Sequence, residues 1–284
     1  MEALDNYLID HYDGHAVQKW LVNNVDIGVY IAAAYLTFVF KGPQLVDFIF
    51  RGNPPTRLIK MCWTLWNIGL ALFSMYGVYH TVPLFINNLR KYGQKDTLCR
   101  FRDDEFYTGK NGVAMGLFSL SKLPEFGDTF FLIMGGKRKL PFLSWFHHVT
   151  IFLYAWMAYQ QASSIWIVLA SINYFVHSIM YTYFALAEAG FKKLVKPFAM
   201  YITLLQITQM VVGLYFTFSF ISYHKADPKG CNGSTMALAR GQCMIYFFNF
   251  YLFSEMFIKG YVLPRKAAAG ESAAATAPAS KKRN

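Results

Sequence analysis

The chain has 284 residues, of which 55% are apolar, 18% aromatic and only 15% charged, and its mean hydropathy is positive. A soluble domain carries roughly a quarter charged residues, so this composition excludes an ordinary soluble domain. The formal charge of +11 does not mark a nucleic-acid binder: the Lys and Arg fall between hydrophobic runs and in the tail, where loops meet anionic head groups, and no basic stripe with interleaved aromatics occurs.

Taken in order, residues 1–24 contain acids and histidines but no basic stretch followed by a small-residue cleavage site, so no removable signal peptide is expected. A bilayer-spanning helix needs about 20 predominantly apolar residues. That ruler gives seven candidates, at about 25–48, 59–86, 112–134, 140–160, 163–187, 197–222 and 243–263. The expected fold is therefore all-α: a polytopic membrane protein with seven transmembrane helices in one domain, 25–265. The stretch 266–284 is Ala/Ser-rich and is read as a disordered tail.

The basic residues give an orientation. Lys41, Arg51, Arg57 and Lys60 fall on one side with Lys137, Arg138, Lys139, Lys192, Lys193, Lys196, Arg265 and Lys266. The positive-inside tendency assigns that side to the cytosol and leaves the acidic N-terminus lumenal. The loop 87–111 dissents, because it is also rich in Lys and Arg. The end Lys281-Lys282-Arg283-Asn284 resembles a dilysine retrieval signal for the endoplasmic reticulum. Of the four cysteines, Cys62 is read as packing. Cys99 and Cys231 fall in non-cytosolic loops, where a disulfide persists, with Cys243 as competing partner.

Three neighbouring hydrophobic segments carry ionisable groups, which at bilayer depth face a protein interior or a wet cavity. In the third, Lys122, Glu125, Asp128 and Thr129 share one helix face beside Pro124 and Gly127, which permit a kink. The plain reading is an internal ion pair that locks helix packing; the functional one gives Lys122 an anionic substrate group or a catalytic partner to orient. In the fourth, His147 and His148 point about 100° apart and cannot do the same job. A neutral imidazole is a usable base and nucleophile near neutral pH. In the fifth, Asn173, His177, Tyr181 and Phe184 form one stripe, with Tyr183 beside it. In the sixth, Thr203, Gln206 and Gln209 recur every third residue, able to bind a polar ligand or to join helices. A di-iron site of the desaturase kind needs about eight clustered histidines. The chain has seven, scattered, so no metal is expected, and a mononuclear site from His147, His148 and His177 is the minor alternative.

Together these segments resemble the ELO/ELOVL family of fatty-acyl elongases. Lys122-Leu-Pro-Glu-Phe-Gly-Asp-Thr129 matches KxxExxDT, His177-Ser-Ile-Met-Tyr-Thr-Tyr-Phe184 matches HxxMYxYY except at its last position, and Thr203-Leu-Leu-Gln-Ile-Thr-Gln209 matches TxxQxxQ. The family's HxxHH box reads Ser144-Trp-Phe-His147-His148, so its first histidine is replaced by a hydroxyl that is no base. The segment 198–210 and Trp145 resemble the branch acting on saturated and monounsaturated medium-to-long chains.

The resemblance implies a condensing enzyme, a very-long-chain 3-oxoacyl-CoA synthase. It would join acyl-CoA and malonyl-CoA, release CO2 and CoA, and need no cofactor beyond these thioester substrates. It further implies six of the seven helices in an inverted-repeat barrel around a substrate tunnel. His147 would attack the thioester with His177 sharing or positioning the acyl group and His148 carrying protons. Lys122, Asn173 or Tyr181 would stabilise developing negative charge. Glu125, Asp128, Tyr183, Phe184, Thr203, Gln206 and Gln209 would line the substrate path. Lys137, Arg138, Lys139 and Arg265 would meet the CoA phosphates. Trp63, Trp66 and Trp166 are candidates to close the tunnel's lumenal end. The partners implied are the bilayer of the endoplasmic reticulum, the reductases and dehydratase of the elongation cycle, and a second copy of the chain, with no nucleic acid. A transporter using the same groups as a proton relay is the rival from another class.

Overall fold

The structure, a computed structural model, describes residues 1–51 and 56–263, and every regular element among them is helical. Two short helices, α1 (Glu2–His11) and α2 (Gly14–Asn23), precede α3 (Val25–Phe50) and the long α4 (Thr56–Cys99), which is kinked at Gly93, where φ is 74°. A one-turn α5 (Asp103–Phe106) leads to α6 (Gly109–Ser121) and α7 (Gly127–Met134), joined by a 3₁₀ turn, Pro124–Phe126. Then come α8 (Phe142–Gln160), α9 (Ser164–Leu186), the single turn α10 (Lys192–Val195), α11 (Ala199–Ala226) and α12 (Met236–Phe257). Helical segments fall within the seven hydropathy windows, the 112–134 window being divided between α6 and α7. By length and composition three stretches are apolar enough to cross a membrane: Val25–Phe50, Thr56–Cys99, and Ser164–Ala226, which contains α9 and α11.

Residue spacing explains which way each helix faces. On α3, Ala32, Tyr35, Val39 and Val46 are buried at intervals of three, four and seven, while Val29, Tyr30, Phe40 and Phe48 point outward. Comparable outward aromatics and aliphatics on α4, α9, α11 and α12 give an apolar exterior of the kind that lipid covers. On α4, Ser74 and Thr81 donate to the carbonyls of Leu70 and Gly77 one turn earlier. At Gly77 the Tyr174 ring of α9 lies where a Cβ would stand, so these two helices approach at a side chain's expense.

Helices in contact run α4, α9, α11, α12, α8, α6 and back to α4, a closed circuit, with α3 packed outside against α7 and α8. The connection from α9 to α11 turns at Gly190, whose φ of 108° suits glycine. Gln206 of α11 thereby comes back to Met180 of α9, its Nε2 donating to Sδ at 3.1 Å.

At one end of the bundle Cys99 and Cys231 are disulfide-bonded, leaving Cys62 and Cys243 free. Backbone hydrogen bonds from Gly233 to Cys99 and from Ser164 to Gly233, each 2.7 Å, tie the same corner. The N-terminal helices pack here too: His80 Nε2 meets Asp5 Oδ1 at 3.0 Å, and Tyr12 OH meets Tyr159 OH at 2.7 Å.

Several sequence expectations change. Cys62 lies exposed on the outer face of α4 and does not pack inside. Helix α4 continues past residue 86 through the polar Asn87-Asn88-Leu-Arg-Lys91 run, because a helix leaving the apolar layer needs no further apolar side chains. The 112–134 window is broken at Lys122–Phe126, where Pro124 supplies no N–H to continue α6. In the dissenting loop, Asp96 pairs with Arg100 at 2.7 Å and Arg102 at 2.8 Å, which neutralises part of its basic character. Arg265, Lys266 and the Lys281–Asn284 signal lie outside the described residues.

Candidate active site

The break between α6 and α7 sets up the polar interior. As the chain turns at Pro124, Lys122 and Glu125 are folded inward and are almost fully buried. Lys122 Nζ donates to Glu125 Oε1 at 2.6 Å and to Asn173 Oδ1 of α9 at 3.1 Å. Ser121 Oγ also donates to Glu125, at 3.3 Å. Because an ammonium only donates, the Asn173 amide must turn its oxygen to Lys122 and keep its NH2 for another acceptor.

One turn on, Asp128 does not join that pair. Its two oxygens accept from Trp66 Nε1 at 3.0 Å and from Tyr181 OH at 2.8 Å. The Tyr181 hydroxyl is thus engaged by Asp128, which weakens the expectation that it meets a substrate oxyanion directly. Thr129 holds the outer helix α3 through Tyr35, with the hydroxyls 2.8 Å apart.

The adjacent histidines diverge as their helical spacing requires. His147 reaches α12, where its Nδ1 lies 3.1 Å from Asn249 Oδ1. His148 turns toward α7, its Nε2 4.0 Å from Asp128 Oδ2. Their ring centroids are 5.7 Å apart. His177 stands edge-on to Tyr181 at 5.2 Å, and its Nδ1 lies 3.8 Å from Glu125 Oε1.

Two cavities meet at these rings. The outer one, about 530 Å³, opens at the end of the bundle away from the disulfide. Asp128, His148, Tyr181, Tyr183, Phe184, Thr203 and Gln206 line it, together with Ser144. The inner one, only about 20 Å³, is walled by Lys122, Glu125, Asn173 and Gln209 and by the apolar Phe118, Trp166 and Met210. His147 and His177 line both. The stripe on α11 therefore runs from the outer cavity at Thr203 and Gln206 to the inner one at Gln209. Thr203 Oγ1 donates to the Ala199 carbonyl at 3.1 Å. Gln209 Oε1 is buried with no hydrogen-bond partner among the described residues.

Other expected residues lie elsewhere. Lys137, Arg138 and Lys139 are exposed and do not line the outer cavity. Arg138 is bound to Asp47 at 2.5 Å and, with Lys139, borders a separate groove beside Trp145. Trp63 lines the outer cavity and Trp66 holds Asp128, so neither stands at the far end. Trp166 is among the residues lining the inner cavity, its Nε1 donating to Ser119 Oγ at 2.8 Å.

Sequence reasoning missed Asn249 and Glu188. An amide inside the apolar run Ile245-Tyr-Phe-Phe-Asn-Phe-Tyr-Leu-Phe253 was the available signal for the first. Glu188, in the turn after α9, lines the outer cavity but belongs to no recurring spacing. Among the described residues no group of three His, Cys, Asp or Glu is gathered as metal ligands would be.

Comparison with known proteins agrees with this interior. Residues 20–269 match the family model described as ELO: GNS1/SUR4 family. The chain is 43% identical over 274 residues to fatty acid elongase 1 of Trypanosoma cruzi (strain CL Brener), covering 91% of this chain and 94% of that protein. It is 42% identical to fatty acid elongase 1 of Trypanosoma brucei brucei (strain 927/4 GUTat10.1), over 90% of this chain and 88% of the relative. It is also 35% identical to very long chain fatty acid elongase 6 of Gallus gallus, over 88% and 90% of the two chains. With the family model spanning most of its length, this chain belongs to the ELO (GNS1/SUR4) family.

Proposed function

We propose that the protein is a fatty acid elongase that performs the condensing step, joining acyl-CoA to malonyl-CoA as a very-long-chain 3-oxoacyl-CoA synthase. The observation that carries this reading is the position of His147 and His177, which line both the outer cavity of about 530 Å³ and the small inner one of about 20 Å³ behind it. A thioester held in the outer cavity has its carbonyl carbon at the two imidazoles and its alkyl chain directed at the inner cavity, which at about 20 Å³ must widen to admit it.

The first half-reaction is acyl transfer to His147. A ring-nitrogen lone pair attacks the carbonyl carbon, and the tetrahedral oxyanion faces the Asn173 amide and Lys122. The C–S bond breaks, and the thiolate leaves as CoA after taking a proton relayed by His148. His177 positions the acyl group against His147. Malonyl-CoA then enters the outer cavity, where its C–carboxylate bond breaks and CO2 departs. The remaining electron pair, held as an enolate, attacks the acyl carbon and returns the C–N pair to the imidazole. The product is a 3-oxoacyl-CoA two carbons longer. Tyr181, Asp128 and Trp66 form a chain that orients His148. Gln209 offers its buried carbonyl to a water in the inner cavity, since an unmet buried acceptor costs roughly 1–3 kcal/mol.

The architecture that serves this chemistry is seven crossings, six of them forming the barrel suggested by the closed circuit of helix contacts. The membrane is that of the endoplasmic reticulum, with the N-terminus lumenal, the C-terminus cytosolic and the outer cavity open to cytosolic CoA substrates. The exposed Lys137, Lys139, Lys192 and Lys193, none of which lines the outer cavity, together with Arg265 are the cations offered to the CoA phosphates, Arg138 being engaged by Asp47.

Purified protein in lipid should incorporate label from malonyl-CoA into acyl product only with acyl-CoA present. Acyl-CoA alone should leave an acyl group on a His147 peptide, detected by mass spectrometry. Absence of incorporation overturns the function, whereas incorporation without an adduct assigns the histidine a base role.

A further inference from the structure

Asn249 is fully buried in the middle of α12 and touches no cavity wall, yet it is bonded to the imidazole on which the proposed chemistry depends. Its amide is not free to choose its orientation. Nδ2 donates to the Ile245 carbonyl one helical turn earlier, at 2.8 Å. A carbonyl oxygen only accepts, so the atom facing it is the NH2 group. The other end of the amide, Oδ1, is consequently the atom 3.1 Å from His147 Nδ1. That oxygen also only accepts, so in a neutral ring Nδ1 must carry the hydrogen. The lone pair is then on Nε2, which has no hydrogen bond within the described residues.

From this chain of constraints we infer that Asn249 is a positioning residue for the condensation: through the Ile245 carbonyl it fixes the tautomer and ring plane of His147 so that Nε2 faces the thioester. The inference rests on the reading of His147 as the reacting group, and it holds whether Nε2 acts as nucleophile or as base. A helical backbone carbonyl sets the direction of the amide, and the amide sets the proton on the ring. Aromatic contact completes the restraint, with Phe253 edge-on to the His147 ring at 6.1 Å.

Three variants test it in full-length protein reconstituted in lipid. Asn249→Leu matches the shape of the amide but removes the acceptor. Asn249→Asp keeps an acceptor for Nδ1–H while placing an anion in a buried site. His147→Gln reports on the underlying reading. Orienting partners of reacting imidazoles carry roughly 10²–10⁴ in turnover. The expected result is a kcat loss of about 100-fold for the Leu variant with acyl-CoA KM within about twofold, and recovery of at least about tenfold of that loss in the Asp variant. A residue that merely packs predicts the reverse ranking, because a buried anion is worse tolerated than Leu. If Asn249→Leu does not hold its fold by size exclusion, Asn249→Ala takes its place with the same expectation. Wild-type turnover in His147→Gln overturns the inference together with its premise. An inactive His147→Gln with near-normal kcat in Asn249→Leu, or with Asp no better than Leu, overturns the inference alone.

Discussion

Replacing Glu125 by Leu isolates the physics of the buried pair. Lys122 and Glu125 are 2% and 4% exposed, and their charged atoms are 2.6 Å apart. At an effective dielectric of about 20, two unit charges at that separation attract by roughly 6 kcal/mol. Desolvation costs several kcal/mol per ion, so the pair as a whole contributes little net stability. Its breakage is another matter. With Glu125 gone, Lys122 keeps only the Asn173 oxygen and the face of the Phe118 ring, and a buried charge that has lost its counter-ion costs about 3–5 kcal/mol. The double variant Lys122→Met, Glu125→Leu removes both charges at similar volume and should unfold within about 1 kcal/mol of wild type. It should nevertheless be inactive, because nothing then orients the Asn173 amide toward the thioester. Equilibrium unfolding in mixed micelles, run as a double-mutant cycle, gives the coupling; a labelled malonyl-CoA assay gives the activity. A single Glu125→Leu variant that loses less than about 1 kcal/mol, or a double variant as unstable as the two singles summed, refutes the reasoning.

Trp166→Val should enlarge the inner cavity and shift products toward longer chains; an unaltered product distribution by gas chromatography removes Trp166 as the stop. Tyr181→Phe deletes the donor to Asp128 at 2.8 Å and should cost about 1.5–3 kcal/mol in that contact. The consequence is slower CoA release in the first turnover with acyl-CoA binding unchanged, and stopped-flow release at the wild-type rate contradicts it. The Cys99–Cys231 bridge closes a loop of sequence separation 132, for which chain entropy gives at most about 5 kcal/mol. Cys231→Ser should therefore lower the unfolding midpoint and abolish the reductant-dependent gel shift seen for wild type, and equal mobility of both under all conditions counts against the bridge. Gly77→Val forces a side chain into the Tyr174 ring; overpacking of about 1–3 kcal/mol should appear as reduced yield and thermal stability, and a fully stable variant would mean that α4 and α9 do not meet as described.

The helices and the inward stripes were legible because apolar length and 3.6-residue spacing are local properties. The spacing of Asn173, His177 and Tyr181 placed all three on one buried face of α9, and Pro124 marked the break between α6 and α7. Partner choice was not legible in the same way. Glu125 and Asp128 are one turn apart, and spacing alone offers both to Lys122. The fold decides between them, because Trp66 of α4 and Tyr181 of α9 arrive at Asp128 first. Loop cations were equally ambiguous. The sequence shows Arg138 as a free guanidinium near a helix end, while α3 brings Asp47 to meet it. Trp63 and Trp66 were misplaced for a related reason: hydropathy locates a helix within a layer but not the depth at which a neighbouring helix meets it.

What the fold adds to the motifs is a boundary. A charged, water-soluble group and an apolar chain belong to one substrate, and neither half tolerates the other's surroundings. The outer cavity has room for such a substrate and the inner one, walled in part by Lys122, Glu125 and Asn173, is water-sized; the two share only His147 and His177, so these rings stand where a chain leaving the outer cavity must pass. The same division accounts for where the carboxylates are held. Glu125 stays with Lys122 on the inner wall, where an unpaired anion would be costly. Asp128, facing the outer cavity, is held instead by neutral donors that keep it in position beside His148. On the proposed reading, the α6–α7 break is what sets the reacting position, because by folding Lys122 and Glu125 inward it places them and Asp128 on opposite sides of the two histidines.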